Sequence, residues 1–570
     1  MQVYAGDQRS LGIRNGQSII NLEINVMKRI RLLAAIILTI GMVACGNKES
    51  SYNYEDGDEF TAKTAEGVDM LFRIINVKDS TVQVGNGDSH LHPYFNDLVA
   101  INQQAKGTIT IPNVVNGFRV VRIAEAAFFK CNIEKVIIPE GITSLEKDAF
   151  FNCTKLHDVL LPNSLKSIAD GSFYCCPLTS IIIPKNVEYI SSKAFDNVPL
   201  ENIKVDNNNR KYDSRNNCNA IVQTSTNTLV KGCENTIIPN DVYCIGEYAF
   251  YKCKGLRSTN IGSGVKKIKD YAFAECKNLV NIHITDNVEI ISETAFKYSA
   301  GVNSIIVDSN NKFYDSRKNC NAIIETSTNT LVRGCKKTVI PDDILKIGDW
   351  AFSSCIDMNS INIPSSVKEI GNHAFSSAIL NTIKIPSSVK EIGDFAFSSS
   401  KLNKVELSEG LERVGNSAFE FCNLKSFIIP SSVVTIGNSA LKNCDKLEEI
   451  IVNKDNPKFD SRNNCNAIIV TKINSLRAGC KKTLIPNDIE IIENGAFGIG
   501  IKRIMIPKNI KKIGEDAFYA SIVTSLIEEP FNIDVIEHII DTLFVPKGTK
   551  DKYANTEGWK TAKNIIELSD

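Results

Sequence analysis

Cysteine is the residue whose placement in this chain comes closest to a chemical pattern. There are 17 cysteines in 570 residues. Eight of them follow a bulky apolar residue by three: Cys131, Cys153, Cys176, Cys253, Cys276, Cys355, Cys422 and Cys444. A fold that repeats with their spacing would stack them in one column. Stacked thiols can bind metal, or can fill a tight interior as small apolar groups. No His follows the same period, and paired C-x-x-C knuckles are absent, so the column reads as buried free thiols. Six more cysteines form three pairs, each 15 residues apart: Cys218 and Cys233, Cys320 and Cys335, Cys465 and Cys480. An Ile-rich stretch, a polar turn and a second apolar stretch lie between the members of each pair, as in a hairpin. A symmetric hairpin would set the two cysteines opposite each other, and an oxidising compartment would then permit a disulfide. Against that, Cys233 begins Cys233-Glu-Asn-Thr-Ile-Ile-Pro239, where Leu begins other strands, and that position points inward. Disulfides and buried thiols are both compatible with the spacing. Cys175 and Cys244 belong to neither set.

Other chemistry is sparse. His90-Leu-His92 could set two imidazoles on one strand face near Asp88, as in a metal site, but the setting is a Gly-Asn-Gly-Asp-Ser loop. The chain has no H-E-x-x-H, no phosphate loop and no nucleophile elbow; Gly415-Asn-Ser417 is a repeat corner. Asp206-Asn-Asn-Asn-Arg lacks the Gly and Glu of an EF-hand loop and reads as Asx turns. No enzyme, cofactor or metal site is expected. Lys plus Arg equals Asp plus Glu at 65 each, with no basic stripe, so nucleic acid is not expected as a partner.

The elements that carry the cysteines come from a single recurring phrase. Ile361-Asn-Ile-Pro364-Ser-Ser-Val-Lys-Glu-Ile-Gly-Asn-His-Ala-Phe375 returns as Ile383-Lys-Ile-Pro386-Ser-Ser-Val-Lys-Glu-Ile-Gly-Asp-Phe-Ala-Phe397. Its Phe recurs from Phe128 to Phe518 in steps of 21 to 23, with Leu441 standing in once. Three steps are 55 or 56, each one ordinary repeat plus a variant that contains Asp213-Ser-Arg, Asp315-Ser-Arg or Asp460-Ser-Arg. Such a period means a stacked array. Ile-x-Ile is a strand with one buried face, Pro ends it, Gly supplies a corner, and Ala-Phe turns inward on the return arc. One coil cannot bury its own apolar face, but stacked coils with parallel strands can.

The phrase resembles the leucine-rich repeat of BspA-like (treponemal-type) surface proteins from about Thr108 to Pro546. The resemblance implies a mainly β, right-handed leucine-rich-repeat solenoid, displayed on a bacterial surface and in some members adhesive. The array is expected over 108–527, with hairpin variants near 206–241, 308–343 and 453–488. Residues 60–107 are expected to form an N-terminal β cap over the open edge of the first coil. Residues 528–570 resemble the family's usual ending, a last strand and a short helix with Trp559 as an apolar plug.

Met27 opens a basic start, an apolar run from Leu32 to Val43, and Ala44-Cys45, which reads as a secretory signal over 27–44. It resembles a bacterial lipoprotein signal with Met42-Val-Ala-Cys45 as lipobox, implying lipidation of Cys45. Residues 1–26 then read as an upstream over-read, and 45–59 as a tether. In each Ile-x-Ile strand the middle residue points outward. Ile137, Leu160 and Ile182 stand on consecutive coils, so they make a candidate partner-binding strip. The hairpins, projecting from the array, are a second candidate surface. The expectation is a lipid-anchored outer-membrane protein, binding an unknown protein or glycan ligand on a host or neighbouring cell. The alternative is a structural or scaffolding lipoprotein inside the envelope.

Overall fold

The computed structural model describes residues 54–87, 99–498, 501–533 and 540–569. Cys45 and its signal, and the Asp88, His90 and His92 group, lie outside the described residues. The chain forms two compact units. The first takes the described residues up to Pro177 together with Tyr189–Ala194. The second takes Leu178–Glu188 and the described residues from Phe195 onward.

In the first unit, strands Glu59–Lys63, Asp69–Asn76 and Thr81–Val84 are antiparallel neighbours. Thr81–Val84 then runs parallel to Phe118–Ile123, which begins a ladder of two-residue strands: Ser144–Leu145, Ser167–Ile168 and Tyr189–Ile190. A separate sheet holds Thr108–Thr110, Lys135–Ile137 and Asp158–Leu160, parallel and in register. Each coil therefore carries two short strands, where the phrase suggested one strand and a corner. The second strand is the pair of residues just before the repeat glycine.

The second unit repeats this plan, except that the first strand is absent in some coils, as at 236–239, 338–341, 361–364 and 483–486. Thr382–Ile385 pairs with Lys404–Leu407, and Ser426–Ile429 with Glu449–Val452. On the other side Lys346–Ile347, Glu369–Ile370, Glu391–Ile392, Arg413–Val414 and Thr435–Ile436 form one parallel ladder. The glycine that follows is required by a close approach of backbones rather than by a turn. A Cβ on Gly393 would lie 2.7 Å from both the Asn372 nitrogen and the Gly371 carbonyl carbon of the preceding coil. Backbone cannot yield as a side-chain tip can. Gly393→Ala is expected to cost about 1–3 kcal/mol by overpacking, read as a shift of the denaturant midpoint at unchanged m-value.

The return arc has a form that its residue types do not announce. In successive coils His373 and Ser377, then Phe395 and Ser399, hold φ of +53 to +61°. The alternation aims every second N–H along the stack: His373 N donates to Asp394 O, Phe375 N to Ala396 O and Ser377 N to Ser398 O, at 2.7–2.9 Å. The intervening amides close turns within the coil, as Ser376 N does to His373 O at 3.0 Å. A left-handed non-Gly residue costs about 1–2 kcal/mol, which this ladder of hydrogen bonds offsets. Asx side chains extend it: Asp349, Asn372 and Asp394 each accept the backbone N–H of the corresponding residue in the next coil at 2.8 Å.

Inside, the repeat Phe rings form a column. Phe352, Phe375, Phe397 and Phe419 stack at 5.0, 5.1 and 5.2 Å with planes within 4° of parallel. At the far end Tyr553 and Trp559 are fully buried against the last coils, the tryptophan Nε1 donating to Phe531 O at 3.0 Å.

Candidate interaction surface

Two kinds of residue could meet a partner or do chemistry: the cysteines, and the outward residues of the strand face. The structure separates them by burial.

Seven of the eight column cysteines are buried, and Cys253 is half-buried. Cys153 Sγ donates to Phe128 O at 2.9 Å, Cys176 to Phe150 O at 3.1 Å, Cys276 to Phe250 O at 3.0 Å, Cys422 to Phe397 O at 3.2 Å and Cys444 to Phe419 O at 3.1 Å. Each thiol thus satisfies a carbonyl of the preceding coil. Ser299 does the same at its place in the repeat, donating to Phe273 O at 2.7 Å. Burial pushes the thiols of Cys253, Cys355 and Cys422 up to about 11. They are protonated at neutral pH and poor nucleophiles. Among the described residues no group of three or more His, Cys, Asp or Glu is arranged to hold a metal ion.

The hairpin cysteines are free thiols as well, and the hairpin's geometry explains why they do not meet. Near the turn the pairs are Val222 with Leu229 and Gln223 with Thr228, a register that would carry Cys218 opposite Cys233. A bulge at Ile221/Val222 slips it by one, to Ile221 with Lys231 and Ala220 with Gly232. Asn219 then stands beside Cys233, whose Sγ lies 3.5 Å from Asn219 O. The same slip occurs at Ile323/Ile324 for Cys320 and Cys335, and at Ile468/Ile469 for Cys465 and Cys480. The symmetric hairpin expected from the spacing is therefore corrected by one bulge residue. The hairpins also join the array instead of projecting from it. Thr228–Gly232, Thr330–Arg333 and Ser475–Gly479 each run parallel to the next two-residue strand.

The residues around each hairpin are structural. Asn209 Oδ1 accepts from Lys211 N and Tyr212 N, while its Nδ2 donates to Pro184 O at 2.7 Å and Val187 O at 3.1 Å, so the Asx-turn reading holds. Asn311 and Asn456 repeat it. Arg215 is clamped between Asp213 and Asp241, Arg317 between Asp315 and Asp343, and Arg462 between Asp460 and Asp488. Arg333 is buried, and its guanidinium donates to the Ser299, Trp350 and Ser353 carbonyls, bridging coils before and after the second hairpin.

On the strand face, Ile137 and Leu160 are directly paired; Ile137 is half-buried and Leu160 is 58% exposed. Ile182, 62% exposed, belongs to the second unit and lies in register with Lys204. The most exposed outward residues follow the hairpins at one equivalent position, in extended segments outside any strand: Ile237 at 74%, Val339 at 73% and Leu484 at 76%. Ile428 and Ile451 form another exposed apolar pair in register. Between these groups the face is polar, at Asn362, Lys384 and Glu406. His283 also faces out, its Nε2 2.7 Å from Asp308 Oδ1.

A second surface was missed in the sequence. Two residues before the repeat Phe, Trp350, His373 and Phe395 stack at 3.8 and 4.8 Å with planes within 7°. Lys297 Nζ sits 3.5 Å from the Trp350 ring centre and 5.0 Å from that of Tyr298. Burial and the Lys297 charge hold His373 down at about 4, so it is neutral at pH 7. The signal lay in the phrase itself, in the column Tyr248, Tyr271, Trp350, His373 and Phe395. Because these rings face one another, the stack offers mainly edges to a partner.

No curated protein matches the chain. Among solved structures, a leucine-rich cell surface protein from Faecalibacterium prausnitzii A2-165 is 24% identical over 69% of this chain and 94% of its own, with a TM-score of 0.45. The pneumococcal vaccine antigen PcpA is 17% identical over 91% of this chain and 100% of its own, TM-score 0.35. A leucine-rich repeat protein from Eubacterium ventriosum is 18% identical over 81% and 95%, TM-score 0.35. The profile described as a BspA type leucine-rich repeat region (6 copies) matches residues 121–229, 228–332, 323–448 and 477–539, well over half of the chain. The stacked parallel strands and the repeat that builds them are those of a leucine-rich-repeat β-solenoid, and the chain belongs to the BspA-type leucine-rich repeat family.

Proposed function

We propose that this is a non-enzymatic binding protein of the bacterial cell surface, tethered by a lipid on Cys45 and presenting its strand face to a protein ligand. One observation carries the reading: Ile237, Val339 and Leu484 stand about three-quarters exposed at one repeated position. The core does not need them there, and exposed apolar side chains in a repeated arrangement mark contact surfaces. Their aliphatic character favours a protein over a glycan. Ile182 belongs to the same proposed surface of the second unit, and Leu160 is the exposed outward residue proposed as a contact on the first.

The first test is brief protease treatment of intact cells. Rapid loss of the chain, with a periplasmic control spared, is the expected result. Full protection would favour the envelope scaffold instead. Once a ligand is recovered, Leu484→Asp and Leu160→Asp are expected to weaken its binding about tenfold or more, as for residues central to an interface. Asn362→Asp serves as the control on the polar stretch. Unchanged binding in both aspartate variants would sink the strand-face reading.

A further inference from the structure

The final strand of the second unit, Asn564–Glu567, pairs with Thr542–Val545 on one side only. Among the described residues no strand covers its outer side. An uncovered edge is a row of backbone donors and acceptors ready to pair with another chain. The three-stranded sheet of the first unit ends differently, at Thr108–Thr110: Glu66 accepts from the Thr110 N–H at 3.0 and 3.1 Å and from its hydroxyl at 2.6 Å, which blocks that edge. Beside the uncovered strand lies an open cleft of about 440 Å³, lined by Lys550, Ala554, Lys560, Ala562, Lys563 and residues 564–566.

We propose that this edge pairs with the same edge of a second copy, antiparallel and about a two-fold axis. The order Lys563-Asn-Ile-Ile-Glu567 is self-complementary. Antiparallel pairing centred on Ile565 sets Lys563 opposite Glu567 of the partner subunit, and Glu567 opposite the partner subunit's Lys563. Opposite charges directly across a strand pair are favourable, and the axis makes each such pair count twice. Lys563, Ile565 and Glu567 alternate onto one side of the strand, where Ile565 packs half-buried against the core; the cleft is lined from both sides of the strand, by Lys563 and Ile565 and by Asn564 and Ile566. The second copy would cover the part of Ile565 that remains exposed, together with the cleft. Within one chain Lys563 Nζ is 2.7 Å from Asp541, and Glu567 Oε1 accepts the Lys550 N–H at 3.2 Å. Both partners are exposed, so these bonds leave the charged groups accessible to the second copy. A four-residue strand makes a small interface, so association is expected at high concentration or on a crowded membrane, not at trace levels.

Sedimentation velocity of the full chain over a concentration series tests this, together with oxidative cross-linking of Ile565→Cys. Strand neighbours on the axis bring Cα atoms to about 4.5–5.5 Å, within disulfide reach. The expected result is concentration-dependent dimerisation and a covalent dimer through position 565. Lys563→Glu should weaken dimerisation at least tenfold, and Lys563→Glu with Glu567→Lys should restore it. The double variant does not restore the Asp541 pair, so its rescue reports the contact between copies and not the fold. Thermal melting of each variant checks folding. A monomer at all concentrations with no cross-link overturns the proposal. So does a dimer that survives Lys563→Glu without cross-linking at 565, because it would use another surface.

Discussion

Raising the pH from 8 to 11 is expected to remove most of the stability of the second unit, through its buried thiols. Burial pushes Cys253, Cys355 and Cys422 to about 11, against an ordinary value of 9.0. Cys276 and Cys444 are pushed up as well, for the same reason. A thiol raised in the folded state stays protonated there while the unfolded chain ionises. Its contribution is therefore complete below the unfolded value, starts to fall as the pH passes about 9, and is lost by the time the pH exceeds the folded value. A two-unit difference is worth about 3 kcal/mol per thiol. Three such groups alone rival the total stability of an ordinary domain. Tyr553, pushed up to about 12 by burial, acts in the same direction. Lys231, Lys297 and Arg333 act against it, since burial lowers these cations and favours the folded state at high pH, but the thiols outnumber them. Denaturant titrations at stepped pH should show the midpoint falling from about pH 9 upward. Cys422→Ala separates the thiols from general alkaline effects. It loses the bond to Phe397 O at neutral pH, yet its further loss between pH 8 and 11 should be smaller by about 2 kcal/mol. An alkaline loss equal to that of the parent chain would refute the thiol account.

Much of this architecture was legible because the repeat states it many times over. The Ile-x-Ile strands, the terminal Pro, the inward Phe and the column of cysteines all follow from one phrase and its period. What stayed hidden was set by neighbouring coils rather than by local sequence. Glu369–Ile370 is too short for alternation to announce a strand; its partners Lys346–Ile347 and Glu391–Ile392 make it one. Gly393 looked like a corner residue, but its need is for backbone clearance from Asn372. Trp350, His373 and Phe395 hold left-handed backbone that such residues rarely adopt, because the stack rewards the hydrogen-bond direction it creates. The hairpin bulge has no residue signature of its own, and one slipped pair is enough to part Cys218 from Cys233. The outward column was readable by position, while its most exposed members, after the hairpins, depended on how each hairpin rejoins the array.

Phe375→Ala is expected to cost about 4 kcal/mol, the largest loss from one substitution in the array. The ring is fully buried and packed on both faces, 5.0 Å from Phe352 and 5.1 Å from Phe397, with planes within 2° of parallel. Removing it leaves a gap between two rings that cannot close, because the coil spacing is fixed by backbone bonds such as Phe375 N to Ala396 O at 2.7 Å. Two ring–ring contacts go with it. In a solenoid each coil leans only on its neighbours, so the damage should be local before it is global. Hydrogen exchange should accelerate first in the amides of the coils carrying Phe352, Phe375 and Phe397, with the coils around Phe250 and Phe273 little changed. Phe395→Ala is the matched control: the same ring one coil on, but a third exposed and stacked on one side by His373. It should cost about 1 kcal/mol, near the value of one aromatic contact. If the two substitutions cost the same, the interior column is not what holds neighbouring coils together, and the backbone ladder of the return arc must carry that role alone.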